Sequence, residues 1–306
     1  MHSPKIQVAK LHSFTGHSDC VYTLQQANEP HFIFSAGGDG LVVLWNLMEK
    51  GDGNLIAQLP NSVYALHYLN EKGLLVIGQN YSGIHLVDHQ IKKEVASLQL
   101  TSAAIFDIQS FGNDLIIGTG DGLITIVDLE KWVIKKRIAP SEKSARAIAI
   151  NKTSGEMAVG FSDHFIRVFS LSDYQLKHEF KAHDNSVFAL NYSPDEKLLL
   201  SGARDARLKA WDARSGYIQT EEIVAHMYAI NHIAFSPNGQ YFASASMDKS
   251  IKVWDTATLQ LLKVIDKGRH AGHGTSVNKL LWTPFNNQLA SASDDHSISV
   301  WDLLFL

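Results

Sequence analysis

The chain has 306 residues, 45 % hydrophobic and 19 % charged, with 21 glycines and 7 prolines, a balance that supplies a sizeable core and excludes a disordered or collagen-like chain. Its formal net charge of −4 argues against a generic nucleic-acid binder, which carries a basic excess. Cys20 is the only cysteine, which excludes an intrachain disulfide and a cysteine-rich zinc site.

The N-terminus, Met1-His2-Ser3-Pro4-Lys5, has no long apolar core, so neither a signal peptide nor a membrane span is read and a cytoplasmic location is expected. The alternation Ile6-Gln7-Val8-Ala9-Lys10-Leu11 reads as a strand. A set of polar landmarks follows: His17, preceded by Gly16 and four residues before Val21; Ser35; Asp39, four residues after Ser35; and Trp45, six after Asp39 and followed by Asn46. Asp39-Gly40 is tight-turn chemistry between two apolar runs, and Asp121-Gly122 repeats it.

The next three stretches keep the spacing but change the residues. At the His, Ser, Asp and Trp positions the second stretch has Leu59, Ile77, Tyr81 and Val87. The third has Thr101, Ile117, Asp121 and Val127, and the fourth Ser141, Val159, Asp163 and Phe169. Ser and Trp become apolar together. Replacing both partners of a buried hydrogen bond in this way is nearly neutral, whereas losing one is expensive. Asp121 and Asp163 are read as left without partners, capping their own hairpin turns. Tyr81 departs from the pattern.

The full set then returns three times, as His183, Ser201, Asp205 and Trp211; as His226, Ser244, Asp248 and Trp254; and as His273, Ser291, Asp295 and Trp301. Each of these Trp residues is followed by Asp. Alternation over 185–192 puts Val187, Ala189 and Asn191 on one face of a strand. Ser193-Pro194-Asp195 and Ser236-Pro237-Asn238-Gly239 are turns. Leu198-Leu199-Leu200 and Tyr241-Phe242-Ala243 begin strands buried on both faces, and a more polar strand follows each Trp-Asp, as at Tyr217-Ile218-Gln219. The Trp positions 45, 87, 127, 169, 211, 254 and 301 are spaced by 42, 40, 42, 42, 43 and 47 residues, the period of a propeller blade. After Trp301-Asp302 come only Leu303-Leu304-Phe305-Leu306. The last unit thus lacks a fourth strand of its own, and Ile6–Leu11 is expected to supply it and cover two exposed edges.

Through these repeated sets, including Gly16-His17 and Gly272-His273, nearly the whole chain resembles the WD-repeat family. The resemblance implies an all-β fold: a seven-bladed β-propeller of four-stranded antiparallel blades, one domain over residues 1–306, closed by the N-terminal strand in the last blade. It also implies a structural role for Ser, His and Asp residues that otherwise spell a hydrolase triad. The Trp indole donates to Ser, Ser bonds His and His bonds Asp, bracing each blade. Four copies suit a scaffold, since an enzyme needs one active site.

In similar propellers the residue after the first-strand Val, and the residue before the Asp, open onto the narrower top face. Carried across, the first position is Tyr22, Tyr64, Phe106, Arg146, Phe188, Asn231 and Asn278, and the second is Gly38, Asn80, Gly120, Ser162, Arg204, Met247 and Asp294. Aromatic residues and Arg are the usual hot-spot types, and Arg146 and Arg204 suit a carboxylate or phosphate on a partner. The competing expectation is that some of these rings only pack between blades.

Other signals are weaker. His270 and His273 have a metal-pair spacing, but His273 belongs to a bracing set and no matching carboxylates accompany them. Lys92-Lys93 and Lys135-Lys136-Arg137 read as solvated faces of outer strands. The expected function is a non-catalytic scaffold that binds a protein or peptide mainly on the top face, within a multi-subunit assembly. The alternatives are an enzyme or small-ligand binder using the central channel, and a subunit of a nucleic-acid-associated complex. No cofactor, metal, membrane or direct nucleic-acid partner is expected.

Overall fold

Apolar runs punctuated by turn residues form 28 strands in the computed structural model, which describes residues 5–306. The leaderless reading of Met1-His2-Ser3-Pro4 lies outside the described residues. The strands pair antiparallel into seven four-stranded sheets. The first strand of each sheet lies innermost: Val21–Gln26, Val63–Leu69, Ile105–Phe111, Ala145–Asn151, Val187–Tyr192, Ile230–Phe235 and Val277–Trp282. Each packs against the next, and the seventh packs against the first. The sheets are therefore the blades of a seven-bladed β-propeller, numbered here 1 to 7 in chain order.

The ring closes in blade 7, where Ile6–Thr15 pairs with Ser297–Phe305 from Ile6↔Phe305 to Thr15↔Ser297, with a register shift at Leu11. This is the closure read from the sequence, with a strand that continues past Leu11. Ile6 is buried in one cluster with Trp282, Trp301 and Leu303, so apolar packing reinforces the pairing that covers the outer edge.

The core lies between blades. One cluster joins Ala147, Ala149 and Ala158 of blade 4 to Val187, Leu190, Tyr192 and Trp211 of blade 5. Second strands are sandwiched by both neighbours: Leu199, Leu200, Phe242 and Ala243 have no exposure.

The alternation expected over 185–192 is interrupted. Val187 pairs with Ala203 and Ala189 with the adjacent Gly202, because Phe188 is an extra, bulged residue. Val187 and Ala189 thus face opposite sides and join different core clusters. Tyr217 also lies outside the expected fourth strand, which runs Ile218–Val224. It occupies the preceding turn at φ +63° and is buried. Among the described residues, no helix is long and apolar enough to cross a membrane.

Candidate functional site

All four Ser-His-Asp-Trp sets close as hydrogen-bond relays. In blade 1 the Trp45 indole donates to Ser35 Oγ at 2.7 Å, His17 Nε2 meets the same oxygen at 2.7 Å, and His17 Nδ1 meets Asp39 at 3.0 Å. Trp211, Ser201, His183 and Asp205 repeat this in blade 5 at 2.9, 2.7 and 3.0 Å. Trp254, Ser244, His226 and Asp248 do so in blade 6 at 2.9, 2.7 and 2.9 Å. Trp301, Ser291, His273 and Asp295 complete the series in blade 7 at 2.9, 2.8 and 2.9 Å. The network assigns each His the tautomer that accepts from Ser and donates to Asp. A nucleophilic Ser needs an open Oγ, but all four serines have no exposure and hold the Trp N–H. These sets therefore brace the third strand, second strand, incoming loop and hairpin of each blade.

Electrostatics follows from burial. His226 is held below the ordinary imidazole value by burial, which outweighs the nearby Asp248 carboxylate. For Asp248, burial alone would raise the pKa. Hydrogen bonds from His226, Ser250 and the Met227 N–H overcome it and hold the carboxyl below its usual value.

The three blades without the full set have polar bracing of their own. Asp121 and Asp163 are not left without partners: Thr101 Oγ1 donates to Asp121 at 2.9 Å, and Ser141 Oγ to Asp163 at 2.7 Å. The residue at the His position is thus a hydroxyl that reaches the Asp directly. The Ser and Trp positions, Ile117, Val127, Val159 and Phe169, are buried apolar packing as read from the sequence. In blade 2 the turn differs, because Tyr81 itself takes the left-handed conformation at φ +64° and stands exposed. Asn80, expected on the rim, is instead fully buried. It donates to Ser62 Oγ at 2.9 Å and accepts from the Ile105 N–H of blade 3 at 2.7 Å.

The bulge at Phe188 has a counterpart in every blade. Register shifts fall between Val21 and Thr23, Val63 and Ala65, Ile105 and Asp107, Ala145 and Ala147, Val187 and Ala189, Ile230 and His232, and Val277 and Lys279. The skipped residues are Tyr22, Tyr64, Phe106, Arg146, Phe188, Asn231 and Asn278, the seven read from the sequence as rim positions. A bulge re-aims one side chain without disturbing the ladder on either side. Here it turns all seven toward the mouth of a central cavity of about 1090 Å³.

At the mouth the side chains organise one another. Tyr22 meets Tyr64 edge-on at 4.6 Å, and Tyr64 stacks on Phe106 at 5.8 Å with 8° between planes. The Arg146 guanidinium lies 4.0 Å from the Phe106 ring centroid and 5.1 Å from that of Phe188. Five consecutive blades thus share one stack of half-buried residues. Arg146 Nε donates to Ser162 Oγ at 3.1 Å, which puts the stack at the end of the ring that carries the Asp hairpins. Burial pushes the Arg146 pKa down, and Arg204 on blade 5 adds to that. Arg204 and Met247 are exposed.

Asn231 and Asn278 have a bracing role as well. Inner strands leave one edge unpaired, and polar side chains of the preceding blade satisfy it. Asn231 donates to Val277 O at 2.9 Å and Asn278 to Val21 O at 3.0 Å. Deeper in the channel Asn191 donates to Ile233 O at 3.2 Å, and Asp107 accepts from the Ile148 N–H at 2.7 Å.

The profile of the WD domain, G-beta repeat family matches residues 9–46, 174–212, 218–255 and 265–302, together half of the chain. The chain belongs to the WD40-repeat family. The matched stretches end on Trp45-Asn46, Trp211-Asp212, Trp254-Asp255 and Trp301-Asp302, and the unmatched middle holds the three blades without the full set. Relatives include the WD repeat-containing protein 91 homolog of Dictyostelium discoideum, 24 % identical over 210 residues that make up 66 % of this chain and 27 % of the relative. Protein lethal(2)denticleless of Drosophila melanogaster is 24 % identical over 221 residues, 66 % of this chain and 28 % of the relative. Protein groucho of the same organism is 22 % identical over 208 residues, 64 % and 28 % respectively. The chain spans little more than a quarter of the length of these relatives.

Several features of this WD40-repeat protein escaped the sequence reading. Met227 and Tyr228 stand exposed beside Met247, whose N–H bonds the Ala229 carbonyl at 3.0 Å. The signal was present, since two large apolar residues follow His226 where other blades have Ser18-Asp19, Asp184-Asn185 and Gly274-Thr275. The hairpin of blade 7 brings His296 beside Asp19 and Cys20, with donor atoms within 4.8 Å of one another. The basic run of blade 3 lies on the outer strand with Lys135 and Arg137 exposed, and it also makes contacts that the sequence did not show: Lys135 pairs with Asp114, Lys136 donates to Asp173 O and Arg137 to Leu100 O.

Proposed function

We propose that this WD40-repeat protein is a non-catalytic scaffold that holds a protein or peptide on the face bearing the Asp hairpins, as one subunit of a larger assembly. The observation that carries the reading is the continuous stack Tyr22–Tyr64–Phe106–Arg146–Phe188 at the mouth of the channel. Aromatic rings and Arg supply large contact areas per side chain, and their mutual stacking lowers the entropy lost when a partner orders them. Arg204 and Met247 extend the surface outward. Asn231 and Asn278 complete the ring, but their N–H groups are engaged with the next blade, so their contribution is to position that surface. The buried Ser-His-Asp sets offer no accessible nucleophile.

The test is a pull-down from the source cells with a Tyr64→Ala/Arg146→Ala double variant. Neither residue belongs to a bracing relay, so the variant is expected to keep the wild-type melting midpoint within a few degrees and to lose the proteins that wild type retains. Full retention of those proteins would rule out the top-face assignment.

A further inference from the structure

Arg146 has fork donors with no partner. Its Nε is satisfied by Ser162, its faces by Phe106 and Phe188, and no carboxylate lies within ion-pair distance among the described residues. Its terminal Nη groups make no hydrogen bond there either. A guanidinium half-removed from water without an anion forgoes the bidentate pairing its planar fork is shaped for.

The surroundings add to this charge. Arg204, on the next blade, is close enough to act on Arg146 electrostatically. Farther down the channel, Lys279 has no hydrogen bond or ion pair among the described residues, and burial holds its pKa down. No carboxylate is among the groups that act on Arg146, whereas Asp107 acts electrostatically on Lys279 farther down the channel. Asp107 has both oxygens on N–H donors, of Ile108, Ile148 and the Gln109 side chain. Glu71 and Glu130 lie in turns at the other end of the blades. A chain with a formal net charge of −4 thus places two arginines beside aromatic rings on the blade 4 and 5 side of the mouth, opposite Asp294, which is bonded to Asn278 on the blade 7 side, and a local field of that sign attracts anions.

We propose that the partner is a peptide segment that seats an anionic side chain, carboxylate or phosphate, on the Nη fork of Arg146, with an apolar or aromatic neighbour against Tyr64 and Tyr22. The proposal rests on the top-face reading and adds the chemistry of the anchor. The rigid stack fixes the fork, so an acid gains two parallel hydrogen bonds that a neutral isostere cannot make.

The experiment is fluorescence binding of the full chain to random peptide pools with one fixed position: Glu, phosphoserine, Gln or Lys. Wild type is expected to bind the Glu or phosphoserine pool about tenfold or more over the Gln pool, and to reject the Lys pool. Which acidic pool prevails tells carboxylate from phosphate. Arg146→Gln should abolish the preference. Arg146→Lys, which keeps the charge and loses the fork, should weaken it, with melting midpoints confirming both folds. Equal binding of Glu, phosphoserine and Gln pools, or no binding by any pool, overturns the proposal. A preference unchanged in Arg146→Gln but lost in Tyr64→Ala removes the Arg146 anchor and leaves the top-face reading standing. A preference unchanged in both variants removes both.

Discussion

The Tyr217 hydroxyl donates to Glu156 Oε2 at 2.8 Å across the seam between blades 4 and 5, although 61 residues separate them. Tyr192 shares that hydroxyl at 2.7 Å, and Lys177 pairs with the same carboxylate. The preceding seam repeats the arrangement, with the Tyr174 hydroxyl on Asp114 and Lys135 beside it. Both tyrosines occupy the turn after a third strand at φ +63°. Both carboxylates begin a second strand. Blades 3 and 4, which lack the indole relay, thus carry a carboxylate clamp onto the following blade.

Tyr217→Phe removes the donor and leaves a buried carboxylate one bond short. The expected cost is about 1–3 kcal/mol, read as a lower midpoint in urea unfolding, with Tyr174→Phe acting alike. Unchanged midpoints in both would mean that apolar packing alone holds these seams.

The blade 5 relay makes a prediction about coupling. Trp211→Phe strands the indole side of Ser201 and is expected to cost about 1–3 kcal/mol. Paired with Ser201→Ala, the double variant should cost less than the two single changes together, by about 0.5–3 kcal/mol. Strict additivity in a double-mutant cycle would show that the 2.9 Å bond between these residues carries no coupling.

The third prediction concerns acid. His67 is half-buried against the channel wall, and the desolvation lowers its pKa from 6.5 to about 4; its Nε2 meets Ser110 Oγ at 2.7 Å. The folded value lies below the unfolded one, so the unfolded chain binds more protons between them. The contribution of His67 to stability is full above 6.5 and is lost as pH falls toward 4. A second loss follows at Asp205. Burial there favours protonation, but His183 and the N–H groups of Asp184 and Arg207 outweigh it and hold the carboxyl at about 2, against 3.8 unperturbed. That contribution is present above 3.8 and is lost as pH falls toward 2. An NMR titration should place the His67 midpoint near 4, and His67→Gln should flatten the stability profile between 6.5 and 4. A His67 midpoint near 6.5 would contradict the burial argument.

How much was legible depends on the distance between the groups involved. Within one blade, His183 and Ser201 are 18 residues apart and Ser201 and Trp211 are 10 apart, so a repeated spacing displays the members of the relay, and the family resemblance implies the bonds among them. The same rule could have found the hydroxyl on Asp163, since Ser141 stands 22 residues before it just as His17 stands 22 before Asp39, whereas Thr101 stands 20 before Asp121 and breaks the spacing. The rim was legible as positions and not as geometry. Alternation cannot announce a bulge, because the extra residue shows only when the partner strand's register is known. Asn80 was misplaced for a related reason: the left-handed Tyr81 changes the blade 2 hairpin, and Asn80 meets a backbone N–H of another blade.

By itself, then, the sequence determined the number of blades, the four relays and the closing strand, because each is written within one period of the repeat or at the chain's ends. Only the tertiary structure decided what lies between blades. The stack from Tyr22 to Phe188, the carboxylate clamps and the side chains that satisfy the inner edges all join residues of neighbouring blades. Those residues meet because the ring closes, and a repeat that fixes each hairpin locally carries no pattern for what its neighbour presents.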